Sequence, residues 1–482
     1  MDLTSSSAAS AVSGGSVSTR AGVISAKSAG TFDPNCYSNS NYDACIFWKN
    51  PVAQRNQSYS QILRFGTNIS GDQVFGVKLQ NLINGTTLTS PSLYVYYSGN
   101  DINKEYRLPL SGGHFKQAFA SDGGDNSMSN TEKSTAQLMA YFWLDYLASE
   151  LKKRTGVSYS QNSLTYVDAY ATDPRYDSSL RDNAFFTYGT DPSDRFIIMG
   201  YSSDVQNGQI IKAHEMALSA EVYVHEMGHG NLHAAKGNDP SSYSGDLNGK
   251  SYYKITVCGA NSTYISDPTK NVGIYSDQAI QALTAACDPN HTGTFDYYTV
   301  DVCNSNQGCM SAINEGQADF HYIMVYPEAP ALGETVYNSP SGGYDMGPRY
   351  SRTLVSGNTY QCAQPAISPV LRRNASLNSN ISAEQAYQAS TMQLNNCSNE
   401  LLGEIHGMGT LYASILYEIY TNSQIDARIF EKAFQAHLQK LNSSTNYSAA
   451  WAALRADYLA AGGDSAGVQT IDAVFTRRGV NR

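Results

Sequence analysis

Hydrophobic positions along this 482-residue chain change their period part-way. Between 31 and 110, short alternating runs such as Gln61-Ile62-Leu63-Arg64-Phe65 and Ser92-Leu93-Tyr94-Val95-Tyr96-Tyr97 are separated by Gly/Asn turns, which predicts a β-rich start. Residues 131–153 contain neither glycine nor proline. They offer Asn130 or Thr131 as a cap and basic residues in the last turn, so they predict an amphipathic helix whose aromatic stripe faces a core. Strands are expected around 164–170 and 195–201. From about residue 220 the pattern turns helical, with segments near 312–326, 382–392, 403–421, 426–440 and 447–461. The expected fold is therefore α+β, a β-rich N-terminal lobe and a mainly helical C-terminal lobe with a cleft between them.

Composition narrows the setting. A chain of this length can bury a large core and should form two or three lobes. The net charge of −10, with no basic cluster, argues against nucleic acid. Only 15% of residues are charged while Tyr alone numbers 35, a neutral-polar balance that suits an exported protein, secreted, periplasmic or at the cell surface. No apolar stretch reaches the roughly 18 residues that a membrane span needs. Residues 1–30 read as a flexible Ser/Gly/Ala-rich linker without a basic n-region or apolar h-region, so any export signal lies outside what this stretch displays. The eight cysteines suggest local bridges, Cys36 with Cys45, Cys303 with Cys309 and Cys362 with Cys397, leaving Cys258 for Cys287. Sequence alone does not fix connectivity, and eight free thiols in a reducing compartment is the alternative.

The chemistry concentrates at His225-Glu226-Met227-Gly228-His229. On a helix the two histidines project from one face about one turn apart, so two neutral imidazoles can share one Zn²⁺ while Glu226 reaches a water beside it. A hydrolytic zinc site needs a third protein ligand and an open position. The H-E-x-x-H-x-x-G-x-x-H version fails, because Leu232 and Ala235 stand where it needs Gly and His. His233 continues the same helix face, where three ligands cannot converge on a point, and is expected beside the site or at the surface. Glu315 is the better candidate. It shares a helical face with Asp319, which could accept a hydrogen bond from the far nitrogen of a ligating histidine.

At these residues the chain resembles the thermolysin-like clan of zinc peptidases, and within it the fungalysin family most closely. VHEMGHG at 224–230 is similar to the H-E-x-x-H-G of that family, and NSNQGCMSAINEGQADF at 304–320 to its N-S-N-C and G-E-G-W-x-D-F segment. The N-E-x-x-x-D core of thermolysin matches Asn314, Glu315 and Asp319. Downstream, residues 404–418, EIHGMGTLYASILYE, resemble the family's H-A-I-G helix, and upstream Asn183-Ala184-Phe185-Phe186 resembles the N-A-F-W strand that pairs with substrate backbone. All four occur in the family's order.

The resemblance implies a two-lobe metallopeptidase in which His225, His229 and Glu315 bind one Zn²⁺, Glu226 is the general base, and His406 donates to the developing oxyanion. Asp319 would support a zinc ligand, and Glu404 or Glu400 would orient His406. Asn183 and Ala184 would bind substrate backbone, with Arg349, and less so Arg352, as candidates for its carbonyl. Residues 31–110 would form the β-rich N-terminal region, 111–230 a catalytic lobe ending in the zinc helix, and 304–482 the helical catalytic lobe. Between them, 231–303 reads as an insertion, because His229 and Glu315 lie 86 positions apart, further than the family needs. Calcium is common in the thermolysin branch, but no D-x-D-x-D-G loop supports it here. The expected activity is a secreted, monomeric zinc endopeptidase acting on proteins or peptides. The alternatives are an inactive scaffold that kept the fold, or a zinc exopeptidase, whose G-x-M-E-N motif is absent.

Overall fold

The helix expected over 131–153 is α1, Asn130–Thr155, and it packs against elements from both halves of the chain. In the computed structural model the described residues are 30–47, 74–101, 103–110, 114–115, 130–171, 183–200, 204–206, 209–211, 216–243, 251–257, 263–264, 295–301, 310–325, 370–373 and 405–477. α1 is not amphipathic. Every side chain from Ser134 to Asp145 is buried, including Tyr141 and Trp143. A helix apolar on all sides belongs inside a core. Its sequence reads as amphipathic only because Ser134, Thr135, Gln137 and Asp145 punctuate the apolar run; the structure buries these as well. Gln137 Oε1 accepts from the Leu108 backbone N–H at 2.9 Å, and Asp145 accepts from Asn81 at 3.0 Å.

The strands fall into separate sheets. Strands β1 (Gly30–Phe32), β2 (Ala44–Phe47) and β3 (Val74–Val77) form an antiparallel sheet in the order β1-β3-β2. A disulfide joins Cys36 to Cys45 across its first loop, as expected; the other cysteines lie outside the described residues. Strands β4 (Leu93–Tyr96), β5 (Thr165–Asp168), β6 (Ala184–Tyr188) and β7 (Arg195–Met199) form a mixed sheet ordered β4-β5-β7-β6. β4, β5 and β7 are parallel, and β6 is the antiparallel edge. This sheet spans residue 110, so the β-rich start and the segment after it share one layer. β8 (Asp204–Gln206) and β9 (Gln209–Ile211) make a hairpin. β10 (Ser251–Val257), β11 (Thr263–Tyr264), β12 (Phe295–Asp301) and β13 (Val370–Arg373) make a further antiparallel sheet ordered β11-β10-β12-β13.

The later helices are α2 (Ala220–Ala235), α3 (Met310–Val325), α4 (Ile405–Thr421), α5 (Ala427–Lys440), α6 (Tyr447–Ala460) and α7 (Ser465–Arg477). Four coincide closely with expected segments. α7 was not expected, because Gly462-Gly463 and Gly467 obscure a stripe of Val468, Ile471, Val474 and Phe475 that is buried. The strand at 61–65 and the helix at 382–392 lie outside the described residues. Together these elements make a mixed α+β protein, and its buried apolar side chains form one cluster from Cys36 to Phe475.

A buried ion pair fastens α1 to the later helices. Arg154 Nη2 lies 2.8 Å from Glu431 Oε1 on α5, and the Tyr420 hydroxyl on α4 donates to the same oxygen at 2.6 Å. Burial pushes the Glu431 carboxyl up despite the guanidinium beside it. Removing one partner of such a pair leaves the other charge buried, which costs about 3–5 kcal/mol. Arg154→Met is therefore expected to lower stability by about that much in urea unfolding at pH 8, with a smaller deficit at pH 5, where Glu431 can take a proton. A loss well under 1 kcal/mol at pH 8 would show that the pair fastens nothing.

Candidate metal centre

α2 carries both motif histidines on consecutive turns and continues beyond residue 230, ending at Lys236 where Gly237 and Asn238 take positive φ of 69° and 60°. α3 crosses it closely. A Cβ on Gly228 would lie 2.6 Å from Ala318 Cα, so only glycine at this motif position allows the approach. α4 crosses α3 on another side, where a Cβ on Gly409 would come within 2.4 Å of the Glu315 Cβ.

These crossings bring His225, His229 and Glu315 together, each offering one ligand atom and all within 4.8 Å of one another. The two Nε2 atoms are 3.1 Å apart. Glu315 Oε2 lies 3.3 Å from His225 Nε2, and its Oε1 lies 3.7 Å from His229 Nε2. The other nitrogens are turned to acceptors. His225 Nδ1 donates to Asp319 Oδ1 at 2.6 Å, and His229 Nδ1 to Asn314 Oδ1 at 3.0 Å. An imidazole that donates from Nδ1 and stays neutral carries a lone pair on Nε2. Two such lone pairs and a carboxylate face each other across a small space, an arrangement that repels until a cation sits between them.

The spacing fits a metal ion. Four-coordinate Zn²⁺ with ligands at about 2.0–2.1 Å places its ligand atoms roughly 3.3 Å apart, close to the observed separations. Imidazole nitrogens and one carboxylate are borderline donors suited to zinc, and the carboxylate and amide behind them are the kind of partner that orients metal-binding histidines. Among the described residues this is the only cluster of His, Cys, Asp and Glu able to hold a metal ion.

The remaining expected residues divide. Glu226 is buried on α2 beside His225, and its carboxylate has no hydrogen-bond partner among the described residues. His406 lies in the first turn of α4, one turn before the Gly409 that touches Glu315, so the backbone brings this position to the neighbourhood of the ligands. Ala184 opens the edge strand β6, and the Asn183 carbonyl just before it accepts from Gly200 N–H at 3.0 Å. Glu400, Glu404, Arg349 and Arg352 lie outside the described residues. His233 is neither at the surface nor beside the ligands. It is fully buried, its Nε2 donating to the Pro192 carbonyl at 2.7 Å, its Nδ1 accepting from the Tyr243 hydroxyl at 2.8 Å, and its ring stacked on Tyr188 at 5.2 Å. It secures β6 against α2.

Sequence reasoning missed a set of buried polar groups around the site. Arg195 on β7 is fully buried and donates to the carbonyls of Gly230, at 3.1 Å, and Ser160, at 3.0 Å, to that of Ser163, and to Thr165 Oγ1 at 2.7 Å. Burial pulls its guanidinium down to about 10. Asn231 Oδ1 accepts from Ser160 N–H, so its amino group faces His321 Nε2 at 2.9 Å and Gln435 Oε1 at 3.0 Å. His321 then donates from Nδ1 to the Gln317 carbonyl at 2.7 Å. The partners are 90 or more residues apart for Asn231–His321 and Asn231–Gln435, so no local pattern announces them.

His321 has its pKa pushed down to about 4, chiefly by burial. Its folded value is below that of an unfolded histidine, so the unfolded chain takes a proton that the folded one refuses between about pH 6.5 and pH 4. Stability from this group is complete above 6.5 and is lost as pH falls, amounting to about 3 kcal/mol by pH 4. In NMR titration the His321 ring is expected to stay neutral down to about pH 4; a midpoint near 6.5 would mean the ring is open to solvent.

No family model matches this chain, and no curated protein is found similar to it.

Proposed function

We propose that the chain is an exported zinc endopeptidase of the thermolysin-like clan, with the active site at His225, His229 and Glu315. The observation that carries the reading is the pair of imidazole lone pairs, fixed by Asp319 and Asn314 and aimed with Glu315 at one point. The Cys36–Cys45 disulfide fits an oxidising compartment. No helix among the described residues is long and apolar enough to cross a membrane. The substrates on this reading are proteins or peptides, taken up by a monomer.

A zinc ion held by His225, His229 and Glu315 would supply Lewis acidity, polarising a peptide carbonyl and lowering the pKa of water towards neutrality. Glu226, with no partner of its own among the described residues, accepts the proton of the attacking water and delivers it to the leaving amine. His406 donates to the oxygen that gains negative charge as the carbonyl becomes tetrahedral. The edge of β6, beginning at Ala184 and unpaired on its outer side among the described residues, offers backbone groups to an extended substrate. His233 would keep that edge in place.

Casein digestion by the purified chain is expected to stop with a chelator and return when zinc is added back. Glu226→Gln should keep its zinc and lose hydrolysis; undiminished turnover would remove Glu226 as the base. His406→Phe should lower kcat by about 10²-fold or more with KM little changed, the scale of one lost oxyanion donor. An unchanged kcat would make this histidine structural.

A further inference from the structure

We propose that Gln317 is a positioning residue of the metal centre, whose amide locks the Asn314 carbonyl oxygen towards His229 and so keeps the His229 Nε2 lone pair available to a cation. The proposal rests on the reading of His225, His229 and Glu315 as metal ligands.

An asparagine beside a histidine does not by itself decide which ring nitrogen carries the proton. Asn314 turned the other way would present its amino group to His229 Nδ1, move the proton to Nε2 and block that ligand atom. Gln317 removes the choice. Its Nε2 lies 3.1 Å from the Gly228 backbone carbonyl, which can only accept, so the atom there is the amino nitrogen. The same nitrogen lies 3.0 Å from Asn314 Oδ1, which must then be the acceptor. His229 Nδ1, 3.0 Å from that oxygen, must donate. One helix carbonyl thus sets the orientation of two amides and the tautomer of a ring.

The arrangement is not what stability alone would select. Gln317 is fully buried, and its Oε1 has no hydrogen-bond partner among the described residues. A buried acceptor without a partner is destabilising, and an apolar side chain of similar shape would avoid it. The amide is explained by what its nitrogen does. His321, which donates to the Gln317 backbone carbonyl one turn away, holds this part of α3 in register.

The test uses the full chain, with zinc affinity read by competition against a chelator and stability read on the metal-free protein. Gln317→Met is expected to weaken zinc binding 10- to 100-fold, the scale of a lost supporting partner, while metal-free melting stays equal or rises. Asn314→Asp supplies a carboxylate with no amino face to turn, so in that background Gln317→Met should change affinity by no more than about 2-fold. The same loss in both backgrounds overturns the proposal, as does unchanged affinity accompanied by a lower melting temperature. Nitrogen NMR of the metal-free wild type at pH 8 should show His229 protonated at Nδ1; protonation at Nε2 overturns the proposal without any variant. A wild-type chain that binds no zinc overturns the metal reading itself, whereas a wild type that binds zinc as tightly as Gln317→Met overturns only the role of Gln317.

Discussion

With Gly228 against Ala318, α2 and α3 approach so closely that two imidazoles on one helix and a carboxylate on the other share a space a few ångströms wide. The contact is steric and leaves no room for a methyl group. A side chain at 228 would push α3 outwards and carry Glu315, Asn314 and Asp319 with it, so one spacing sets the ligand carboxylate and both acceptors behind the histidines. The Gly316–Gly409 contact does the same for α4, which carries His406. A candidate metal site built this way depends on backbone approach before it depends on any one side chain.

Closeness alone would leave the rings free to take either tautomer. Asp319 and Asn314 settle that, Asn314 through Gln317, and other buried amides and rings of the core are likewise anchored on backbone atoms, which have only one role each. Gly228 O orients Gln317, Ser160 N–H orients Asn231, and Pro192 O orients His233. Arg195 ties the Gly230 carbonyl on α2 to the loop before β5 with neutral acceptors in place of a carboxylate.

Much of this was legible in the sequence where the signal is local. H-E-x-x-H spacing puts two candidate ligands on one helix face without a structure, the i,i+4 relation puts Glu315 and Asp319 on one face of a second helix, and the resemblance to the thermolysin N-E-x-x-x-D core implies which of the two acids faces a metal. Helix periodicity found α3 to α6, the motif in a stretch without helix breakers found α2, and the resemblance of the N-A-F-F run to a known edge strand found β6. What stayed hidden is long-range. Periodicity counts Gln317 and His321 as ordinary residues on a largely apolar helix, and nothing nearby indicates that their partners are Gly228 and Asn231. α1 misled for a related reason: its polar residues mark a solvent face only if nothing covers them, and strands, α2 and α5 do.

The stretch between the metal helices is likewise tied by distant pairing. β10 and β12 lie within it, and β12 pairs through Val300↔Val370 to Tyr297↔Arg373 with β13, which follows α3 in sequence. The segment before α3 and the segment after it therefore share a sheet. β12 ends at Asp301 and α3 begins at Met310, so even a fully extended connection holds the strand within roughly 30 Å of the helix start, four residues before Asn314. A change of register between β12 and β13 shifts the chain on both sides of α3 at once. The pairing with β13 thus ties the stretch between α2 and α3 at a point beyond its two ends.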